Sequence, residues 1–182
     1  MPASFFAEGS AKPMSRHIIQ DTPLTDLDVA DLLPHRAPMI LIDNLLAYQT
    51  DTLLTEVNIT AQSAYFDETA QSVPNYVAIE YMAQSIAALA GIEAKARQEP
   101  IKIGFLLGTR KLKLHIHAFQ QGEQYQTRVS RLYQEDSGLA VFDCQILYNN
   151  EVVAEANVNV FQPQDTQAYI SESIQGREEI KS

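Results

Sequence analysis

From residue 101 onward the chain alternates apolar and polar positions in five runs: IKIGFLL, KLKLHIHAF, YQTRVSRLY, LAVFDCQILY and EVVAEANVNVF. A period of two sends successive side chains to opposite faces, so each run predicts a strand with one wet and one buried side. Gly108, Gly122, Gly138 and the pair Asn149 and Asn150 separate the runs and predict an antiparallel meander. Earlier, MILIDNLLAY after Pro38 and LLTEVNI at residues 53–59 predict a hairpin that turns at residues 49–51. Between the two groups of strands the period changes. Ala78, Met82, Ile86 and Ala90 recur at fourfold spacing, and Ile79, Ala83, Ala87 and Leu89 widen the apolar surface, which predicts a long buried helix. Pro74 is tolerated at its start and Asn75 is placed to cap it. A short helical turn is predicted at residues 28–33, broken at Pro34.

Two strands, one long helix and then four or five strands, with no βαβ repetition, predict an α+β fold: a curved antiparallel sheet wrapped around a central helix. The 182 residues suit one domain. Residues 1–24 read as a loosely ordered leading segment, 25–161 as the domain, and 162–182 as a polar, mobile tail. A net charge of -10 argues against a nucleic-acid groove or an anionic membrane surface as partner. No apolar run is long enough for a signal peptide or a membrane span, so a soluble cytoplasmic protein is expected. Cys144 is the single cysteine, has no partner for an intramolecular disulfide, and reads as structural. Arg110, Lys111 and Lys113 form the one local basic cluster that an acidic carrier protein would find.

Glu80 is the informative residue of the helix, because it places a carboxylate on an otherwise uncharged apolar surface. Such a group must be paired, protonated or at work. Gln84 follows one turn later on the same face, where its amide would orient the carboxylate or a water. Backbone N–H groups at the helix start, around Asn75 and Tyr76, offer an oxyanion site. A polarised carbonyl beside a carboxylate suits either dehydration of a β-hydroxyacyl thioester or hydrolysis of a thioester, and the pattern does not choose between them. His115 and His117 alternate along an expected strand and share a face, but no cysteine or carboxylate nearby completes a metal-ligand spacing. His17 lies in the leading segment. His35 follows Pro34 in a turn and is expected to make a structural hydrogen bond to backbone. No glycine-rich phosphate loop is present.

The segments LLPHRAPMILIDNLL, VPNYVAIEYMAQS and GLAVFDCQILYNNEVVAEANVNV resemble the hotdog-fold 3-hydroxyacyl-carrier-protein dehydratases, and most closely the dehydratase-like proteins of aryl polyene clusters. The resemblance runs from about residue 30 to 161. It implies a single hotdog domain, a homodimer or a heterodimer with another hotdog protein, and an acyl group presented on the phosphopantetheine of an acyl carrier protein, with no metal or bound cofactor. It carries the catalytic helix acid onto Glu80 and the following amide onto Gln84. The glycine whose N–H holds the thioester oxygen falls on Asn75, beside Tyr76. The family's histidine base falls on Phe66, which cannot take a proton, so Asp67 or Glu68 of the same loop becomes the candidate altered base. In the family the histidine of LLPHR supplies no base. Three functions follow: dehydration of 3-hydroxyacyl-carrier-protein thioesters to trans-2-enoyl thioesters, either with an altered base or paired with a second hotdog subunit that contributes the histidine; a thioesterase using Glu80; or a non-catalytic subunit of a heteromeric dehydratase.

Overall fold

The computed structural model describes residues 24–171. The leading segment with His17, all but its last residue, and the end of the tail lie outside the described residues. The long helix forms as expected, as α1 (Ala78–Ala96). Its strands are β1 (Asn44–Gln49), β2 (Thr52–Asn58), β3 (Ser72–Pro74), β4 (Phe105–Leu114), β5 (Ala118–Gln120), β6 (Gln124–Gln134), β7 (Leu139–Tyr148) and β8 (Glu151–Phe161). Six of them make one antiparallel sheet in the order β1-β2-β6-β7-β8-β4, and β3 pairs with β5 in a second, two-stranded sheet. The large sheet wraps α1, which packs against β2, β6, β7 and β8. This is the hotdog arrangement.

Burial explains why the helix sits there. Tyr81, Met82, Leu89 and Ile92 on α1 and Leu53, Val129 and Ile146 on the sheet are sealed from solvent, and each large apolar side chain so buried contributes about 1.5–3 kcal/mol. One polar link crosses this core: the Thr55 and Ser85 hydroxyls lie 2.7 Å apart, and Ser85 donates to the Tyr81 carbonyl at 2.7 Å. Cys144 is buried as expected, and desolvation, with the Asp143 charge second, pushes its thiol pKa far up, so it stays an inert thiol.

Several expectations need correction. The run beginning at Met39 does not enter a strand until Asn44, because the Met39 carbonyl and Leu41 N–H are engaged by the Gln84 side chain and cannot join a ladder. Gly108 does not end a strand. The chain passes through it at a register shift, so the FLL that ends IKIGFLL and the following KLKL share β4, while residues 101–104 lie outside it. KLKLHIHAF is not one strand: residues 115–117 bend, sending β5 to pair with β3. His115 and His117, both exposed, therefore lie in the link between β4 and β5 and not along one strand. Nor is the whole set a meander, since β4 pairs with β8 at the far edge. The tail expected to be mobile from residue 162 is instead anchored at Gln162 and Tyr169. Gln162 N–H donates to the Gly138 carbonyl at 2.9 Å, and the Tyr169 ring lies 5.0 Å from Phe105 and 5.1 Å from Phe161.

Candidate active site

Glu80 sits in the first turn of α1 and opens onto a groove of about 1000 Å³. The face of the helix that borders this groove carries Glu80, Ala83, Ala87 and Ala90, spaced three and four residues apart, so small side chains leave room beside Glu80, and Glu93 follows at the other end of the same face. Of the expected apolar stripe, Ala78, Met82 and Ile86 are buried in the core and Ala90 borders the groove, while Tyr81 and Ser85 join the core beside Leu89.

Gln84 is fully buried and uses every group it has. Its Oε1 accepts from Leu41 N–H at 2.8 Å, and its Nε2 donates to the Met39 carbonyl at 2.8 Å and to Glu80 Oε1 at 2.8 Å. It thus ties the segment before β1 to the helix and aims the carboxylate, a positioning role. Gln84→Leu leaves the buried Leu41 N–H unpaired, at about 1–3 kcal/mol, and removes the partner of the part-buried Met39 carbonyl. The variant should melt lower and lose activity, which thermal unfolding and turnover assays would read together.

The helix start differs from expectation. Asn75 does not cap: its Nδ2 donates to the Ile116 carbonyl at 2.8 Å, and its backbone N–H points to the His117 carbonyl at 3.3 Å. The N-cap of the preceding single turn (Asn75–Val77) is Pro74, which has no side-chain cap bond. The first-turn donor that remains is the backbone N–H of Tyr76, about 6 Å along the axis from Glu80 at 1.5 Å per residue.

The loop offered as an altered base does not reach this groove within one chain. Phe66 packs against the core, Asp67 Oδ1 accepts from Thr69 and Ala70 N–H at 2.8 and 3.0 Å, and Glu68 is exposed; none of the three borders the groove. His35 does border it. Its Nε2 stands 3.8 Å from Glu80 Oε1, and its Nδ1 is buried with no hydrogen-bond partner, so the expected backbone bond is not made there. Motif spacing hid this residue, because the approach of His35 to Glu80 depends on how the LLPHR turn docks on α1.

The far end of the groove is polar. Arg131, largely buried, binds Glu93 with both terminal nitrogens at 2.9 and 2.8 Å and Asp51 at 2.5 Å. Burial pulls its pKa down, but the hydrogen bonds and charges of Glu93 and Asp51 outweigh this and hold it above its usual value. Tyr48 borders the same end, where burial, and after it the Glu93 carboxylate, raises its pKa and keeps it a neutral donor. Removing one partner of a buried pair is costly. Glu93→Leu should lower stability by about 3 kcal/mol, read as an earlier urea midpoint with an unchanged slope. Among the described residues no cluster of three or more His, Cys, Asp or Glu is placed to hold a metal, and no helix is long and apolar enough to cross a membrane.

Comparison with known proteins gives consistent matches. The family model described as ApeP-like, ApeP dehydratase, matches residues 27–171. The 3-hydroxyacyl-[acyl-carrier-protein] dehydratase FabZ of Chlamydia muridarum is 32% identical over 91 residues, which are 47% of this chain and 59% of that protein. The chain thus spans little more than half of that relative. The FabZ of Psychrobacter arcticus is 26% identical over 144 residues, 76% of this chain and 96% of its own length. Among solved structures, a chain of the dehydratase heterocomplex ApeI:P from Xenorhabdus doucetiae superposes with a TM-score of 0.73 at 28% identity, covering 79% of this chain and 95% of that one.

Proposed function

Since the chain belongs to the ApeP-like family of ApeP dehydratases, we propose that it removes water from 3-hydroxyacyl thioesters carried on the phosphopantetheine of an acyl carrier protein, giving trans-2-enoyl thioesters. The observation that carries this reading is Glu80, a carboxylate aimed by Gln84 at the mouth of a long groove lined by small helix residues. In such a site the carboxylate moves protons at C2 and C3 of the acyl group while the thioester oxygen meets the N–H of Tyr76. The groove takes the acyl chain.

The edge strand β4 supports assembly with a second hotdog chain, identical or not. Its backbone edge ends the sheet, and Leu106, Leu107 and Leu112 on it are exposed, a combination that calls for a covering partner. The likeness to a chain from a heterocomplex favours a non-identical partner. Arg110 and Lys111 are exposed on the same strand and are offered to the acidic carrier protein, whereas Lys113 is already tied to Glu155 at 2.7 Å.

The test is intact-mass analysis of a 3-hydroxyhexanoyl carrier protein incubated with the full-length chain. Loss of one water from the bound acyl group is expected. Release of the free hydroxy acid would replace this reading by thioester hydrolysis at the same carboxylate, and an untouched substrate would replace it by a non-catalytic subunit.

A further inference from the structure

We propose that His35, from the same chain as Glu80, is a catalytic residue of this site, holding the departing hydroxyl oxygen of the substrate through its Nε2–H; this rests on the dehydration proposed above. The turn that carries His35 is fixed on both sides. Beneath it the helix has Gly91, and a Cβ there would come within 2.1 Å of the Leu32 carbonyl oxygen, so the turn lies directly on α1 backbone. Above it Arg36 Nη1 donates to the carbonyls of Ala30, Leu33 and His35 at 3.3, 2.9 and 2.6 Å, closing the turn on itself. The ring is thereby held at the groove, with Nε2 3.8 Å from Glu80 Oε1 and both side chains about a third exposed, at 33% and 35%. That exposure leaves room for a substrate to touch each.

The other ring nitrogen decides the role. Nδ1 is buried without a partner, so an imidazolium would bury a charged N–H that nothing accepts, and a proton on Nδ1 alone would be an orphaned donor. The neutral ring with its hydrogen on Nε2 avoids both. His35 therefore donates and does not act as the base, and Glu80 performs both proton transfers. The carboxylate takes the proton from C2, and the electron pair of that C–H bond becomes the C2=C3 double bond. The C3–O bond breaks as its oxygen, hydrogen-bonded to His35 Nε2–H, receives the proton from Glu80 and leaves as water. One C–H and one C–O bond are lost, one double bond and one water are formed, and Glu80 returns to the carboxylate. No histidine at position 66 is needed.

The test compares the full-length chain with His35→Leu, His35→Gln and Glu80→Gln on 3-hydroxyhexanoyl carrier protein. His35→Leu should lower kcat about 100-fold, the loss typical of one removed transition-state donor, with little change in KM. His35→Gln keeps an N–H donor and should recover kcat to within about tenfold of the parent. A purely structural His35 would give a loss of melting temperature in step with activity, so unfolding curves are recorded for each variant. Should His35→Leu fail to fold, His35→Gln decides alone: strong turnover supports the donor role and complete loss overturns it. Full activity in a folded His35→Leu beside an inactive Glu80→Gln would overturn the role of His35 and leave the dehydratase reading standing. Full activity in Glu80→Gln would overturn both.

Discussion

Glu80→Gln is expected to lower kcat for dehydration by roughly 10³-fold, within the range that loss of a general acid–base group produces, while the fold survives. The amide has the shape of the carboxylate, and its oxygen can still accept from Gln84 Nε2, the 2.8 Å bond that fixes the side chain now. What disappears is the capacity to take a proton from C2 and give one to the departing oxygen. KM should change little, because the groove walls remain. Steady-state kinetics with a circular-dichroism spectrum of each protein would check both halves of the expectation.

Gly91→Ala is expected to be strongly disruptive for so small a substitution. Two effects oppose each other there. Alanine gains roughly 1 kcal/mol over glycine inside a helix. Against this, the new methyl would sit 2.1 Å from the Leu32 oxygen and 2.9 Å from its Cα, and these are backbone atoms that cannot rotate away. Overpacking of this kind costs about 1–3 kcal/mol or more, so the clash wins. A net loss of about 2 kcal/mol corresponds to roughly 5 °C of melting temperature for a chain of this size. Because the displaced turn carries His35, kcat should fall with it, whereas an alanine at Gly104, whose Cβ would meet only the Phe161 oxygen at 3.9 Å, should leave both unchanged.

These two residues also show what could be read in the sequence. Glu80 and Gln84 were legible because helical spacing is a local property: four residues apart means one face, whatever surrounds the helix. The strands from residue 124 onward were legible for the same reason. His35 was not, since its meeting with Glu80 depends on Gly91 admitting the LLPHR turn against α1, a contact between segments more than fifty residues apart. The beginning of β1 was misjudged because Gln84 takes the backbone groups of Met39 and Leu41, and alternation at residues 39–43 cannot reveal that their hydrogen bonds go to a side chain. Asn75 looked like a cap by residue type, yet the bend at residues 115–117 claimed both its N–H and its side chain. Asp67 and Glu68 were nearest in sequence to the position of the absent histidine. Asp67 instead braces its own loop.

The most direct measurement of the central claim, that Glu80 moves protons at C2, is the reaction run backwards in deuterated water. A trans-2-hexenoyl carrier protein incubated with the full-length chain should gain one water and one non-exchangeable deuterium at C2, and with Glu80→Gln it should gain neither. Formation of the deuterated hydroxyacyl product by Glu80→Gln at the parent rate would contradict the account.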